Sequence, residues 1–213
     1  MRIIVFGDSI AYGAWDKEGG WVSRLRKFFD KITINDPDFY CVIYNCSISG
    51  NTTKDLLKRF KFEIEQRVKE NEETTIIFEI GINDAQFNLK KKTNATKPEE
   101  FRRNIKKLIK EAKKFSSKII FLSITPIDEK RAIVVPWLPE ISFRNKYIQQ
   151  YNQIIKEECE KNKVYFVDVF EPMLESTKNI LEDGIHPNDR GHDLIYKIVK
   201  NFLIKSKIIE FPQ

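Results

Sequence analysis

Short apolar runs alternate with longer amphipathic segments along this chain. The runs at residues 3–6, 42–45, 75–80, 118–123 and 164–169 are rich in β-branched and aromatic side chains, which predicts five strands. Each run is continuously apolar rather than alternating, as expected for a parallel sheet that is covered on both faces. The segments between the runs repeat apolar residues every three or four positions, which predicts helices. Strand–helix alternation repeated five times favours βαβ units with right-handed crossovers.

Five apolar stripes mark the predicted helices. They are Trp21, Leu25, Phe28 and Ile32; Leu57, Phe60, Ile64 and Val68; Phe101, Ile105, Leu108, Ala112 and Phe115; Ile148, Tyr151, Ile155 and Cys159; and Leu194, Ile198 and Phe202. In the third segment, lysines alternate with the apolar residues, which indicates a helix with one solvated face. No internal repeat, low-complexity linker or second domain is visible in the pattern.

Composition narrows the class of protein. The 213 residues are 41% hydrophobic and 32% charged, which is typical of a globular chain, and no apolar stretch approaches the ~20 residues of a membrane span. The N-terminal run is too short for a signal peptide, so we expect a cytoplasmic location.

Three cysteines, Cys41, Cys46 and Cys159, show no CxxC spacing, which favours reduced thiols. An odd separation should place the first two on opposite faces of one strand. The net charge of +6 allows a nucleic-acid or anionic-surface binder, but no basic motif with interleaved aromatic residues supports one.

Chemically suggestive residues follow the predicted strands, at the sheet edge where α/β proteins bind ligands. The first such loop contains Ser9, the second contains Gly50 within residues 47–51, and the third contains Asn83 within residues 81–84. The fourth loop, residues 125–143, is long, and the fifth leads to Asp183 and His186. Because all five loops should converge on one edge, we expect these side chains to form one site.

Ser9, His186 and Asp183 together supply the groups of a serine hydrolase. A serine hydroxyl becomes an effective nucleophile when a base takes its proton, and histidine is the usual base near neutral pH. Asp183, three residues before His186, could bond the other ring nitrogen and fix its tautomer. Each residue alone is ordinary in a turn, so the inference depends on their combination. We expect the other histidine, His192, to be structural.

Acyl transfer also requires donors that stabilise an oxyanion. The candidates are the backbone N–H of Ser9, the backbone N–H of Gly50 and the side-chain amide of Asn83. Gly50 could instead be a simple loop glycine, and Asn83 could be a helix cap. We expect Asp8 to support the serine turn as a buried hydrogen-bonding group and Asp84 to support the site or cap a helix.

Four sequence blocks resemble those of the SGNH hydrolases, also called the GDSL esterase/lipase superfamily. The blocks are Gly7-Asp8-Ser9-Ile10, with Ile where the family name has Leu; Gly50 in Ser49-Gly50-Asn51; Gly81-Ile82-Asn83-Asp84; and Asp183-Gly184-Ile185-His186-Pro187. They occur in the family's order and span residues 7–187. The Gly-x-Ser-x-Gly pattern of α/β-hydrolases is absent around Ser9.

The resemblance implies a fold, a mechanism and a set of site residues. The fold is α/β: a three-layer α/β/α, flavodoxin-like arrangement with a five-stranded parallel sheet, formed by residues 1–213 as one SGNH-hydrolase-like domain. Ser9, Asp183 and His186 are the implied catalytic triad, and Ser9, Gly50 and Asn83 the implied oxyanion hole. No metal or organic cofactor is expected, and the implied ligand is a small-molecule acyl ester.

The expected activity is carboxylic ester hydrolysis through an acyl-Ser9 intermediate. A thioesterase, a lysophospholipase with the same triad, or a non-catalytic ligand-binding module on the same fold remain alternatives. Specificity should come from three loops, at residues 12–21, 85–97 and 125–143. Trp15 and Trp137 could flank an acyl chain, stack on a sugar or serve only in packing. The apolar stretch at residues 132–139 could line an acyl pocket, pack against helices or contact a second subunit.

Overall fold

A five-stranded parallel sheet forms the centre of the structure, a computed structural model that describes residues 1–132, 138–176 and 179–209. The five sheet strands are β1 (Arg2–Gly7), β2 (Val42–Asn45), β3 (Thr74–Glu79), β4 (Lys118–Leu122) and β5 (Tyr165–Val167). The strand order is β2-β1-β3-β4-β5, and each neighbouring pair is parallel. This is the flavodoxin-like order, so the predicted fold class is confirmed.

Long helices cover both faces of the sheet. They are α1 (Gly20–Asn35), α2 (Thr53–Glu65), α3 (Pro98–Ala112), α4 (Asn145–Asn162) and α5 (Asp189–Lys205). Helices α1 and α5 pack together in one layer, while α3 packs against both α2 and α4 in the other. The central strands β1 and β3 are buried along their whole length, as the continuous apolar runs predict.

The core centres on stacked aromatic side chains. Phe78 of β3 stacks on Phe121 of β4 with 4.6 Å between ring centroids, and Phe6 of β1 meets Phe60 of α2 edge to face at 4.9 Å. Offset and edge-to-face pairs of this kind add to the stability gained from burial. The sheet and the α2 layer are thereby held together directly beneath the loops that follow the strands.

The observed stripes differ from the predicted ones in several helices. Phe28, Ile32 and Leu57 are only partly buried, and Val68 and Phe115 lie beyond the ends of α2 and α3. In α5 the fully buried apolar residues are Ile195, Val199 and Leu203, whereas the predicted Leu194, Ile198 and Phe202 are only partly buried. Both stripes are apolar: the helix packs against α1, and Phe202 meets the ring of Tyr165 of β5 edge to face at 5.6 Å between centroids. A shift of one residue rotates a helix by about 100°, and the pattern alone cannot choose between two adjacent apolar stripes.

Short elements complete the described chain. Four helical turns are Ser9–Tyr12, Ile82–Ala85, Glu129–Ala132 and Phe170–Leu174. A small antiparallel sheet joins Thr93–Asn94, Phe87–Asn88 and Ile141–Ser142. The three cysteines are free and buried, and Cys41 and Cys46 lie just outside the two ends of β2 rather than within it. Among the described helices, none combines the length and apolarity that crossing a bilayer would require.

Candidate active site

Ser9 begins a helical turn directly after β1. The Asp8 side chain caps this turn by accepting a hydrogen bond from the Ile10 backbone N–H at 3.1 Å. As the first residue of the turn, Ser9 has a backbone N–H with no acceptor inside the helix. A Cβ at Gly7 would lie 2.5 Å from the Glu79 carbonyl oxygen and 2.6 Å from the Ala11 side chain, so only glycine fits there. Asp8 is therefore the buried support that the sequence predicts.

Asp183 and His186 are brought together by a tight turn. Asp183 Oδ1 accepts the backbone N–H groups of Ile185 at 2.9 Å and His186 at 2.8 Å. This side-chain-to-backbone closure is the kind that favours aspartate in turns. Asn188 then caps α5, with its side chain accepting from the backbone N–H groups of the first helical turn. The histidine is thus fixed between a closed turn and a helix start.

A hydrogen-bonded chain links the three predicted triad residues. His186 Nε2 lies 2.9 Å from Ser9 Oγ, and His186 Nδ1 lies 2.7 Å from Asp183 Oδ2. Partial burial raises the pKa of Asp183, but its hydrogen bonds with the His186 ring and two backbone N–H groups outweigh that effect and lower the pKa below its usual range. The carboxylate therefore stays charged next to the imidazole, as a general-base histidine requires.

The preceding loop clamps the triad turn. Arg131 donates hydrogen bonds to the carbonyl oxygens of Leu181 and Glu182, and Asp128 N–H donates to the Gly184 carbonyl at 2.9 Å. Gly184 has a φ of +93°, and a Cβ there would lie 2.7 Å from the Arg131 side chain. The glycine of the Asp-x-x-His block is thus required both by its backbone conformation and by close packing.

Gly50 lies exposed in the loop after β2. Its φ is +80°, and no atom of the described residues lies within 4 Å of the position that a Cβ would occupy. The space above Gly50 is therefore open to a ligand that approaches the backbone closely.

The Asn83 amide is oriented by two hydrogen bonds. Its Oδ1 accepts from Gln86 Nε2 at 2.8 Å, and its Nδ2 donates to the Asn51 carbonyl at 3.0 Å. An amide nitrogen has two N–H donors, so this arrangement leaves one of them for a substrate. Because Asn51 follows Gly50, the two predicted oxyanion donors are physically connected.

Arg59 of α2 holds this same loop, and sequence reasoning missed it. Its guanidinium donates to Asn51 Oδ1 at 2.8 Å, to the Cys46 carbonyl at 2.6 Å and to the Gly7 carbonyl at 3.4 Å, while Glu63 accepts a further bond at 2.8 Å. Five planar donors make arginine suited to such a junction. In the sequence, Arg59 is one of several charged residues on an amphipathic helix, so the pattern gives no specific indication of this role.

Asp84 fixes the start of α2. Its two carboxylate oxygens accept from the Thr53 backbone N–H at 2.8 Å and the Thr53 hydroxyl at 2.7 Å, and Asn104 donates to that hydroxyl at 3.0 Å. Burial raises the pKa of Asp84 to about 6. Asp84 therefore supports the loop between Gly50 and α2 through its contacts with Thr53.

A match to known proteins accompanies this geometry. The sequence pattern of the GDSL-like lipase/acylhydrolase family fits residues 5–194 of the 213-residue chain. The chain belongs to this family. Its members are hydrolases, and solved structures similar to this chain include esterases.

Individual relatives are distant in sequence. YpmR, an uncharacterized protein of Bacillus subtilis (strain 168), is 28% identical over 210 residues, covering 92% of this chain and 79% of that protein. A GDSL-like lipase of Bacteroides thetaiotaomicron is 25% identical with a TM-score of 0.70, covering 96% of this chain and 88% of its own. An acetylxylan esterase of Geobacillus stearothermophilus is 21% identical with a TM-score of 0.71, covering 100% and 96%, and shows likeness of fold.

Three other titratable groups with shifted pKa values lie near the site of this GDSL-family chain. Glu79 is buried next to Asp8; burial and then the charge of Asp8 raise the pKa of Glu79 well above its usual range. Burial likewise raises the pKa of Asp8 to about 7. His192 is fully buried in the first turn of α5, and burial lowers its pKa to about 4, so it is neutral at neutral pH. This placement agrees with a structural role for His192.

Two of the three predicted specificity loops meet. Phe87–Asn88 pairs with Ile141–Ser142, so the 85–97 loop and the end of the 125–143 loop form one small sheet. Residues 133–137, including Trp137, lie outside the described residues, and the predicted role of the apolar stretch stays a prediction. Trp15 is 64% exposed, so it is not a core packing residue.

The absence of a cofactor also stays a prediction; among the described residues, no three His, Cys, Asp or Glu side chains cluster to hold a metal ion.

Proposed function

We propose that this GDSL-family chain is a serine esterase that hydrolyses a small carboxylic acyl ester through an acyl-Ser9 intermediate. The observation that carries the proposal is the continuous chain of short contacts from Ser9 Oγ through His186 to Asp183. A nucleophile, a base and an orienting carboxylate in this order define the serine hydrolase mechanism regardless of fold.

In the first step, Ser9 Oγ bonds to the ester carbonyl carbon while His186 Nε2 takes the hydroxyl proton. The carbonyl oxygen becomes an oxyanion, which the proposed donors, Ser9 N–H, Gly50 N–H and the Asn83 amide, stabilise. The tetrahedral intermediate collapses, the bond to the alcohol breaks, and His186 gives its proton to the leaving oxygen. Water then attacks acyl-Ser9 with His186 again as base, which releases the acid and restores Ser9.

A polar cleft of ≈ 580 Å³ lies beside the triad turn, lined by Trp15, Lys17, Glu18, Asn179, Glu182, Asn188, Asp189 and Arg190. None of these residues is a proposed triad or oxyanion residue, so the cleft does not decide the leaving group. A short acyl group is consistent with the structurally similar acetylxylan esterases.

The decisive experiment is Ser9→Ala with a fluorophosphonate probe and p-nitrophenyl acetate. We expect the native protein to be labelled on Ser9 alone and Ser9→Ala to lose both labelling and hydrolysis while melting normally. Ser117→Ala, an exposed serine at the opposite edge of the sheet, is the control and should behave like the native protein. A native protein that stays unlabelled and inactive would instead be a binding module. Comparing p-nitrophenyl esters of increasing chain length with acyl thioesters then separates the esterase from the thioesterase and lysophospholipase alternatives.

A further inference from the structure

Trp15 has an unusual conformation for an aromatic residue. Its φ is +66°, in the left-handed region that bulky L-residues rarely adopt, and 64% of its surface is exposed. Core packing therefore does not explain why a tryptophan occupies this position. Strained positions of this kind concentrate at functional sites, where the surrounding contacts maintain them.

The Trp15 indole contacts two members of the triad. Its Nε1 lies 3.0 Å from Asp183 Oδ2, and its ring meets the His186 ring edge to face, with 5.7 Å between centroids and 82° between planes. Asp183 Oδ1 already accepts two backbone N–H groups. The indole N–H therefore adds a donor at Asp183 Oδ2, the same oxygen that lies against His186 Nδ1.

The proton arrangement follows from the same distances. Trp15 Nε1 also lies 3.0 Å from His186 Nδ1, so the indole N–H has two neighbouring acceptor positions. A charged carboxylate oxygen 2.7 Å from Nδ1 requires a proton on that nitrogen, because two lone pairs would otherwise face each other. With Nδ1 protonated, the indole must donate to Asp183 Oδ2, and His186 Nε2 is left free to accept the serine proton.

We propose that Trp15 is a positioning residue for the base, acting through Asp183 and His186. Its N–H fixes Asp183 Oδ2, and its ring edge fixes the plane of the imidazole and keeps water from that side. The inference rests on the proposed roles of Ser9, His186 and Asp183. It differs from the alternatives considered from sequence, in which Trp15 contacts only a sugar or an acyl chain.

The test is Trp15→Phe, which keeps an aromatic ring and the same backbone strain but removes the N–H. We expect kcat for p-nitrophenyl acetate to fall about tenfold, the equivalent of one hydrogen bond to a charged group, with KM changed less than about twofold. The control is Tyr40→Phe, which removes a polar group from an exposed aromatic residue just before β2, at the end of the sheet away from the site. It should keep native kinetics.

Two further readouts separate positioning from a structural role. Removing a donor from Asp183 Oδ2 leaves more negative charge facing His186, so the acid limb of the kcat/KM profile should move to higher pH. The other groups that interact electrostatically with the ring in the described residues, Asp8 and His192, are unchanged in this variant. The low-field proton NMR signal of the His186 Nδ1–H, which requires no substrate, should also shift.

The outcomes are distinct. A raised KM with an unchanged kcat and pH profile would show that Trp15 only contacts substrate, and a lowered Tm with an unchanged pH profile and NMR signal would show that it only packs. Either result overturns the inference while leaving the esterase proposal intact. If the native protein neither hydrolyses esters nor labels on Ser9, the proposed function fails; a shifted Nδ1–H signal would still support the contact, and an unshifted one would reject it.

Discussion

Replacing Arg59 with lysine should loosen the oxyanion side of the site. Lysine keeps the positive charge and can still pair with Glu63, but one ammonium group cannot span Asn51, Cys46 and Gly7 at once. The bonds at 2.8 Å to Asn51 Oδ1 and 2.6 Å to the Cys46 carbonyl are therefore the main losses.

The size of the effect follows from these two bonds. Hydrogen bonds from charged groups contribute about 1.5–3 kcal/mol each, and the partial exposure of the Arg59 side chain reduces this, so Arg59→Lys should cost about 2–4 kcal/mol. For a chain of this length that corresponds to a Tm lower by about 5–15 °C. Because the loop carries Gly50 and accepts from Asn83, kcat should fall at least about tenfold even at temperatures where the variant is fully folded.

Arg67→Lys provides a matched control for this prediction. Arg67 forms an ion pair with the same glutamate, Glu63, at 3.6 Å and donates to the Glu63 carbonyl at 2.7 Å, and its guanidinium lies over the Tyr44 ring rather than against the Gly50 loop. We expect p-nitrophenyl acetate kinetics to show native-like activity for Arg67→Lys. Thermal melting measures how far each variant is destabilised. The reasoning is refuted if Arg59→Lys is destabilised yet keeps full kcat at low temperature, or if both variants lose activity equally.

Two other changes test the site from different directions. Gly50→Ala should cost about 1–2 kcal/mol from its left-handed backbone and should lower kcat strongly by filling the open space above the loop. Asn71→Ala, at an exposed left-handed position before β3 with a φ of +65°, should keep native activity, and equal activity in both variants would contradict the oxyanion role. Burial holds the pKa of Glu79 far above its usual value, so folding favours its protonated form and native stability should fall as pH rises above about 4. Melting curves from pH 4 to 8 should be flatter for Glu79→Gln than for the native protein or the exposed control Glu70→Gln, and an unchanged slope would show that Glu79 does not titrate in this way.

The strands and the candidate residues were predictable for local reasons. Continuous apolar runs define buried parallel strands, the Gly-Asp-Ser block places Ser9 directly after β1, and the Asp-x-x-His block places its groups directly before α5. Parallel strand order then brings those ends to one edge. The distance from Ser9 to His186 follows from topology rather than from their separation of 177 positions.

Other features depend on contacts that local patterns do not encode. Arg59 joins Gly7 from 52 residues away, and Trp15 joins Asp183 from 168 residues away, so neither contact leaves a periodic signal in the sequence. The small antiparallel sheet consists of two-residue strands, which are too short for an alternating pattern.

The two sides of the site are held by different parts of the chain. Trp15 and Arg131 hold the triad turn, whereas Arg59 and Asp84 hold the loop and helix start around the oxyanion donors. Within the described residues, these named contacts involve different side chains, and Arg59 also reaches the Gly7 carbonyl next to the Ser9 turn. Arg131 belongs to the 125–143 loop, which is also a predicted specificity loop, so a change of substrate preference through that loop would also disturb the base. Changes in the 85–97 loop should act on the oxyanion side instead, because Gln86 of this loop donates to Asn83 Oδ1, and the small sheet also links the loop to the 125–143 loop.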